Sequence, residues 1–133
     1  MRCDTRTVTI DAAPEDVLAF VADPGNLPRW AIGFAKDVRH QLEGWVVSTA
    51  QGDIAISIEA DARSGAVDFR MEMAPGLAVT AYSRVVPNGD GSEFMFTQFQ
   101  QPGVPDEMFE QLVSAVRHEL VTLKALMEVM CPL

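Results

Sequence analysis

Between Lys36 and Gln101, runs rich in Val, Ile, Phe, Thr and Met are broken at short intervals by Glu43-Gly44, Gln51-Gly52, Ser64-Gly65, Pro75-Gly76 and Asn88-Gly89-Asp90-Gly91. That is the pattern of consecutive antiparallel hairpins. Six strands are predicted, at roughly 36–42, 45–50, 53–61, 66–74, 77–86 and 92–101. Ile54, Ile56 and Ile58 alternate with Ala55, Ser57 and Glu59, and Val67, Phe69, Met71 and Met73 alternate with Asp68, Arg70 and Glu72. One face of the sheet is therefore buried and the other wet. A two-residue turn at Ser64-Gly65 predicts Ile58 opposite Met71 on the inner face and Glu59 opposite Arg70 on the outer.

Outside this block the period changes. Thr7-Val8-Thr9-Ile10 is a short β-prone run, and Asp11 to Asp16 carries the proline and acids of a helix start. Val17, Phe20 and Val21 share one side of that helix, and Asp23-Pro24 stops it. A short helical turn is expected around residues 26–31. Over residues 105–130, Phe109, Leu112, Val113, Val116, Leu120, Leu123, Met127 and Met130 recur at three- and four-residue spacing, which predicts one long amphipathic helix. At about 1.5 Å per residue it would run roughly 36 Å, the width of a twisted sheet. The order strand, two short helices, six strands, long helix implies one helical layer on one curled antiparallel sheet. The short helices would cover one end.

A length of 133 residues suits one domain, residues 1–133. A net charge of −9 argues against nucleic acid or an anionic membrane as partner. No apolar run reaches the 18 or more residues of a membrane-spanning helix, and the first residues are not followed by the apolar stretch of a secretory signal, so the expected compartment is the cytoplasm. Cys3 and Cys131 lie at opposite ends without CxxC spacing and are read as free thiols, a bridge between the termini being the alternative.

The element order and the run Ala13-Pro-Glu-Asp-Val-Leu-Ala-Phe-Val-Ala-Asp-Pro-Gly-Asn-Leu-Pro-Arg-Trp30 resemble the SRPBCC superfamily of START-like, helix-grip proteins, in particular its polyketide cyclase/dehydrase-like members. Asn88-Gly-Asp-Gly-Ser-Glu-Phe-Met-Phe96 followed by a long C-terminal helix fits the same pattern. The resemblance covers nearly the whole chain. It implies an α+β helix-grip fold with a curved seven-stranded antiparallel sheet. It further implies a deep apolar cavity between sheet and helix that holds a hydrophobic small molecule. The fold hosts carriers, receptors, cyclases and chaperone activators, so it does not choose among them.

No nucleophile elbow, zincin motif, phosphate loop, dinucleotide fingerprint or zinc-spaced Cys/His set is present. No metal site and no cofactor are expected. His118 falls on the polar side of the long helix. His40 alternates with Val38 and Leu42, which puts it on the presumed inner face, as a rim histidine or as a cavity acid/base. Residues 77–86 admit two registers. A strict turn at Pro75-Gly76 puts Thr80, Tyr82 and Arg84 inside, whereas hydrophobicity favours Leu77, Val79, Ala81 and Val85 inside and then requires an extra residue or a bulge. In the first register Tyr82 and Arg84 join His40 as candidate catalytic groups.

The expected ligand-binding residues are Leu27, Trp30, His40, Trp45, Ile56, Ile58, Phe69, Met71, Met73, Phe96, Met108, Phe109, Leu112 and Val116. Trp30 is expected to be buried at the border of the cavity. Leading expectation is a binding protein, monomeric or homodimeric, for a polyketide-, lipid- or isoprenoid-like molecule. The alternatives are a cyclase/dehydratase-type enzyme and an interaction module such as a chaperone co-factor.

Overall fold

A computed structural model describes residues 1–133. Strand β1 (Cys3–Ile10) leads through α1 (Pro14–Val21), a 3-10 turn (Pro24–Asn26) and α2 (Leu27–Trp30) into six strands. These are β2 (Asp37–Gln41), β3 (Gly44–Thr49), β4 (Gly52–Ala60), β5 (Ala66–Ala74), β6 (Leu77–Asn88) and β7 (Gly91–Phe99), followed by α3 (Asp106–Met130). The strands form one antiparallel sheet in the order β1-β7-β6-β5-β4-β3-β2. This is the helix-grip arrangement: α3 and the two short helices all lie on the one apolar face of the sheet.

Local chemistry accounts for the joints. Pro14 stands at the start of α1, with Glu15 and Asp16 in its first turn, where a missing N–H costs nothing and negative charge meets the helix dipole. Asp23 stops α1 and caps the following turn, accepting a bond from the Gly25 N–H at 2.9 Å. The stretch Asp23 to Trp30 is thus a capped corner that turns Leu27 and Trp30 inward, at 2% and 3% exposure.

The β4–β5 connection differs from the two-residue turn predicted. Asp61 accepts from Arg63 N and Ser64 Oγ, both at 3.0 Å, so the loop closes over residues 61–65. Gly65 has φ of +79°, a backbone region that disfavours side chains. An added Cβ there would also overlap the Val85 carbonyl oxygen. The longer loop moves the register by two residues: Ile58 faces Phe69, Ile56 faces Met71, and Arg70 faces Ser57 rather than Glu59. An even shift keeps every side chain on its expected face.

Strand β6 takes the register that hydrophobicity favours. Phe69 faces Ala81 and Val67 faces Ser83, with a bulge between Glu72 and Ala74 supplying the extra residue. Ala81, Ser83 and Val85 are buried. The one polar group among them is satisfied, since Ser83 Oγ donates to Val67 O at 2.6 Å.

The core gathers Ile10, Val17, Val21 and Leu27 with Val67, Phe69, Val85 and Phe94 of the sheet and Leu120, Leu123 and Met127 of α3. Trp30 stands edge-on to Phe69 and Phe94, at 6.1 and 6.2 Å between ring centroids. Both cysteines are free thiols. No helix is long and apolar enough to cross a membrane.

Candidate functional site

Toward the N-terminal half of α3 one flank of the helix is less covered, while its central stripe stays buried. On the sheet, Trp45, Ile58, Met71 and Phe96 are partly buried against the core, and Met73 is 48% exposed. On the helix, Met108 and Leu112 are half exposed, while Phe109, Val113 and Val116 in the same turns are buried. Leu112 and Met108 sit on the flank of the buried stripe, on the side shared with Ala115 and Glu119. That side faces the loop after α2. Phe34, partly buried, comes from this loop.

Among the residues anticipated as a lining, Leu27, Trp30, Ile56, Phe69, Phe109 and Val116 are buried. Trp45, Ile58, Met71 and Phe96 are partly buried, and Met73, Met108 and Leu112 are about half exposed. Trp30, expected buried at the border of the cavity, is 3% exposed, and its ring stands in the interior between Phe69 and Phe94. Its indole Nε1 is buried without a hydrogen-bond partner, and so is the Nε2 of Gln98. Both are donors left without acceptors in a place where a buried polar group normally has one.

His40, Tyr82 and Arg84 are not brought together. His40 has the inner-face parity expected, opposite Trp45, but β2 is an edge strand beyond the cover of α3. Its ring is exposed and stacked on Trp45 at 4.6 Å. Tyr82 and Arg84 point outward because the β5 bulge sets β6 in the other register. Tyr82 is half exposed beside Phe99, and Arg84 Nε donates to Ser64 O at 2.7 Å. His118 lies on the exposed face of α3, its Nδ1 2.9 Å from Ser114 O.

One interior acid escaped the sequence reading. Glu119 is 6% exposed on α3, and its Oε2 accepts from the Gly33 N–H at 3.0 Å. Burial pushes its pKa up from 4.5 to about 7, against the lowering effect of the Gly33 and Phe34 amides. The loop must come close for these bonds: an added Cβ on Gly33 would lie 3.0 Å from the Ala115 Cβ. The signal was legible, since Glu119 falls three residues after Val116 and four before Leu123, within the buried stripe.

Two of the surface cavities border α3. One, of about 230 Å³, lies between β1 and the first half of α3; Arg2, Arg6 and Arg117 line it, with Phe109 and Val113. The other, of about 450 Å³, lies on the outward side of the second half of α3 between Val121, Ala125 and Val129. No group of His, Cys, Asp or Glu is placed to hold a metal ion.

A family model described as polyketide cyclase/dehydrase and lipid transport matches residues 1–128. No curated protein sequence matches. Among solved structures, the di-domain ARO/CYC BexL from the BE-7585A biosynthetic pathway superposes with a TM-score of 0.74 at 18% identity, over 94% of this chain and 46% of that one. This chain therefore spans about half the length of that protein. A START superfamily protein from Mycobacterium smegmatis gives a TM-score of 0.69 at 17% identity, covering 96% of this chain and 98% of that one. XoxI from Bacillus cereus gives 0.72 at 16% identity, covering 94% of each. At these identities the likeness is one of fold.

Proposed function

Since the chain belongs to the polyketide cyclase/dehydrase and lipid transport family, we propose that it is a single-domain binding protein for a hydrophobic or amphipathic small molecule. The ligand would lie between the sheet and the N-terminal half of α3. One observation carries this reading: apolar side chains stay partly exposed on both layers, Met71 and Trp45 on the inner face of the sheet and Leu112 and Met108 on the flank of α3 toward the loop after α2. Exposed apolar surface of this kind is what a hydrophobic ligand would cover on binding. Burying that surface would supply about 25 cal/mol per Å² before ordering costs.

The cyclase alternative has less support. With His40 on the rim and Tyr82 and Arg84 on the outer face, the interior offers no set of acid/base groups around a shared space. Native mass spectrometry of freshly purified protein tests the proposal. A retained small molecule, or a melting temperature raised by decanol, is the expected result. Protein that is always empty and is not stabilised by any apolar compound would defeat it.

A further inference from the structure

The inward side of β1 is not uniformly apolar. Val8 and Ile10 lie toward the closed end, but the two preceding inward positions are Arg6 and Asp4, side chains 35% and 22% exposed. Charges on the inner face of a sheet need a reason. Here they border the 230 Å³ cavity at the seam between β1 and α3. Arg6 and Asp4 bond each other at 3.1 Å and largely cancel.

The remaining cations are less well matched. Arg2 stands 3.7 Å from Glu110 and 4.0 Å from Asp106, longer than a charge-assisted bond of about 2.7–2.9 Å. Its guanidinium rests instead over the Phe109 ring, 5.1 Å from the centroid. Arg117, one turn beyond Val113 on α3, lines the same cavity and makes no ion pair or side-chain hydrogen bond. The cavity thus sets one unmatched and one loosely matched guanidinium against an apolar wall of Phe109 and Val113, both of them residues of the buried stripe. Behind it, Gln98, paired with Asp4 across β1 and β7, keeps its unpartnered Nε2.

We propose that this cavity holds the anionic end of the ligand, a carboxylate or phosphate, between Arg117 and Arg2. The hydrocarbon part would then have to pass under α3, displacing the buried Phe109 and Val113, to reach the seam on the helix's other flank. The inference rests on the ligand-binding reading above and adds a headgroup to it. The net charge of −9 opposes long-range attraction of anions. Recognition therefore comes from contact with these guanidiniums and not from steering.

Calorimetric titration with decanoate, decyl phosphate and decanol, each below its aggregation threshold, tests it. One or both anions should bind about tenfold more tightly than the alcohol, the scale of one charge-assisted bond. Which anion prevails separates a carboxylate from a phosphate source. Arg117→Gln, a change on an exposed helical position that leaves packing intact, should remove that preference and leave decanol affinity unchanged. Arg117→Glu should reverse it. Equal binding of all three compounds, or an anion preference that survives Arg117→Gln, would overturn the headgroup site while leaving the apolar seam in place. Failure of all three to bind would overturn both.

Discussion

Along its C-terminal half, α3 lays Leu120, Leu123 and Met127 on the sheet at no more than 3% exposure; along its N-terminal half it leaves Met108 and Leu112 at 50% and 46%. The buried stripe continues through Phe109, Val113 and Val116, so what changes along the helix is its flank, which gives a closed end and an open end. The closed end is sealed by α1 and α2, whose Val17, Val21, Leu27 and Trp30 complete the packing over Phe94 and Phe69. The open end has no such third partner. Packing and uncovered apolar surface are thus divided along one interface, and substitutions at the two ends should read out differently.

The largest effect belongs to the closed end. Phe94 is fully buried beside Trp30. Phe94→Ala should cost about 3–5 kcal/mol of unfolding free energy, measured by urea titration; a cost below about 1 kcal/mol would mean that this end is not the packed half.

Glu119 sits at the boundary, tying the loop after α2 to α3. Its carboxyl ionises near 4.5 in the unfolded chain and near 7 in the folded one. The folded state therefore holds the proton more tightly. The contribution to stability is full below pH 4.5 and is lost as pH rises through about 7. That loss is on the order of 3 kcal/mol. Glu119→Gln, which keeps an acceptor for the loop amides, should flatten this part of the pH profile between 5 and 8. An unchanged difference between pH 5 and pH 8 in the variant would assign the dependence elsewhere.

The smallest stability effect belongs to the open end. Leu112→Ser should cost under about 1 kcal/mol, because a half-exposed side chain has little burial to lose. The same change should weaken decanol binding several-fold. A large loss of stability without loss of binding would erase the distinction between the ends.

Most of this layout was readable from periodicity. The alternation of Ile54, Ile56 and Ile58 and the stripe from Phe109 to Met127 specify faces directly, because period 2 and period 3.6 are imposed by backbone geometry. Partners were less readable. The Ser64-Gly65 turn lengthened because Asp61 could bond its own loop, a local contact that pattern does not reveal. Depth was the least readable. His40 has the parity of an inner residue, yet its strand lies past the reach of α3, and parity carries no information on where a covering helix ends. Arg6 and Asp4 are not legible as inward residues because the β-prone run begins only at Thr7, two inward positions after the strand itself does.

The β5 bulge has a consequence for the chemistry of the inner face as well as for packing. The bulge adds one residue at Met73, and that residue decides which side of β6 looks toward α3. Were the bulge absorbed, with Met73 kept and paired to Ala78 and a matching slip against β7, a phenol and a guanidinium, Tyr82 and Arg84, would turn into the interior and Ala81 and Val85 would turn out. An apolar inner face and one bearing reactive groups stand in this way one slip of pairing apart, on an unchanged scaffold.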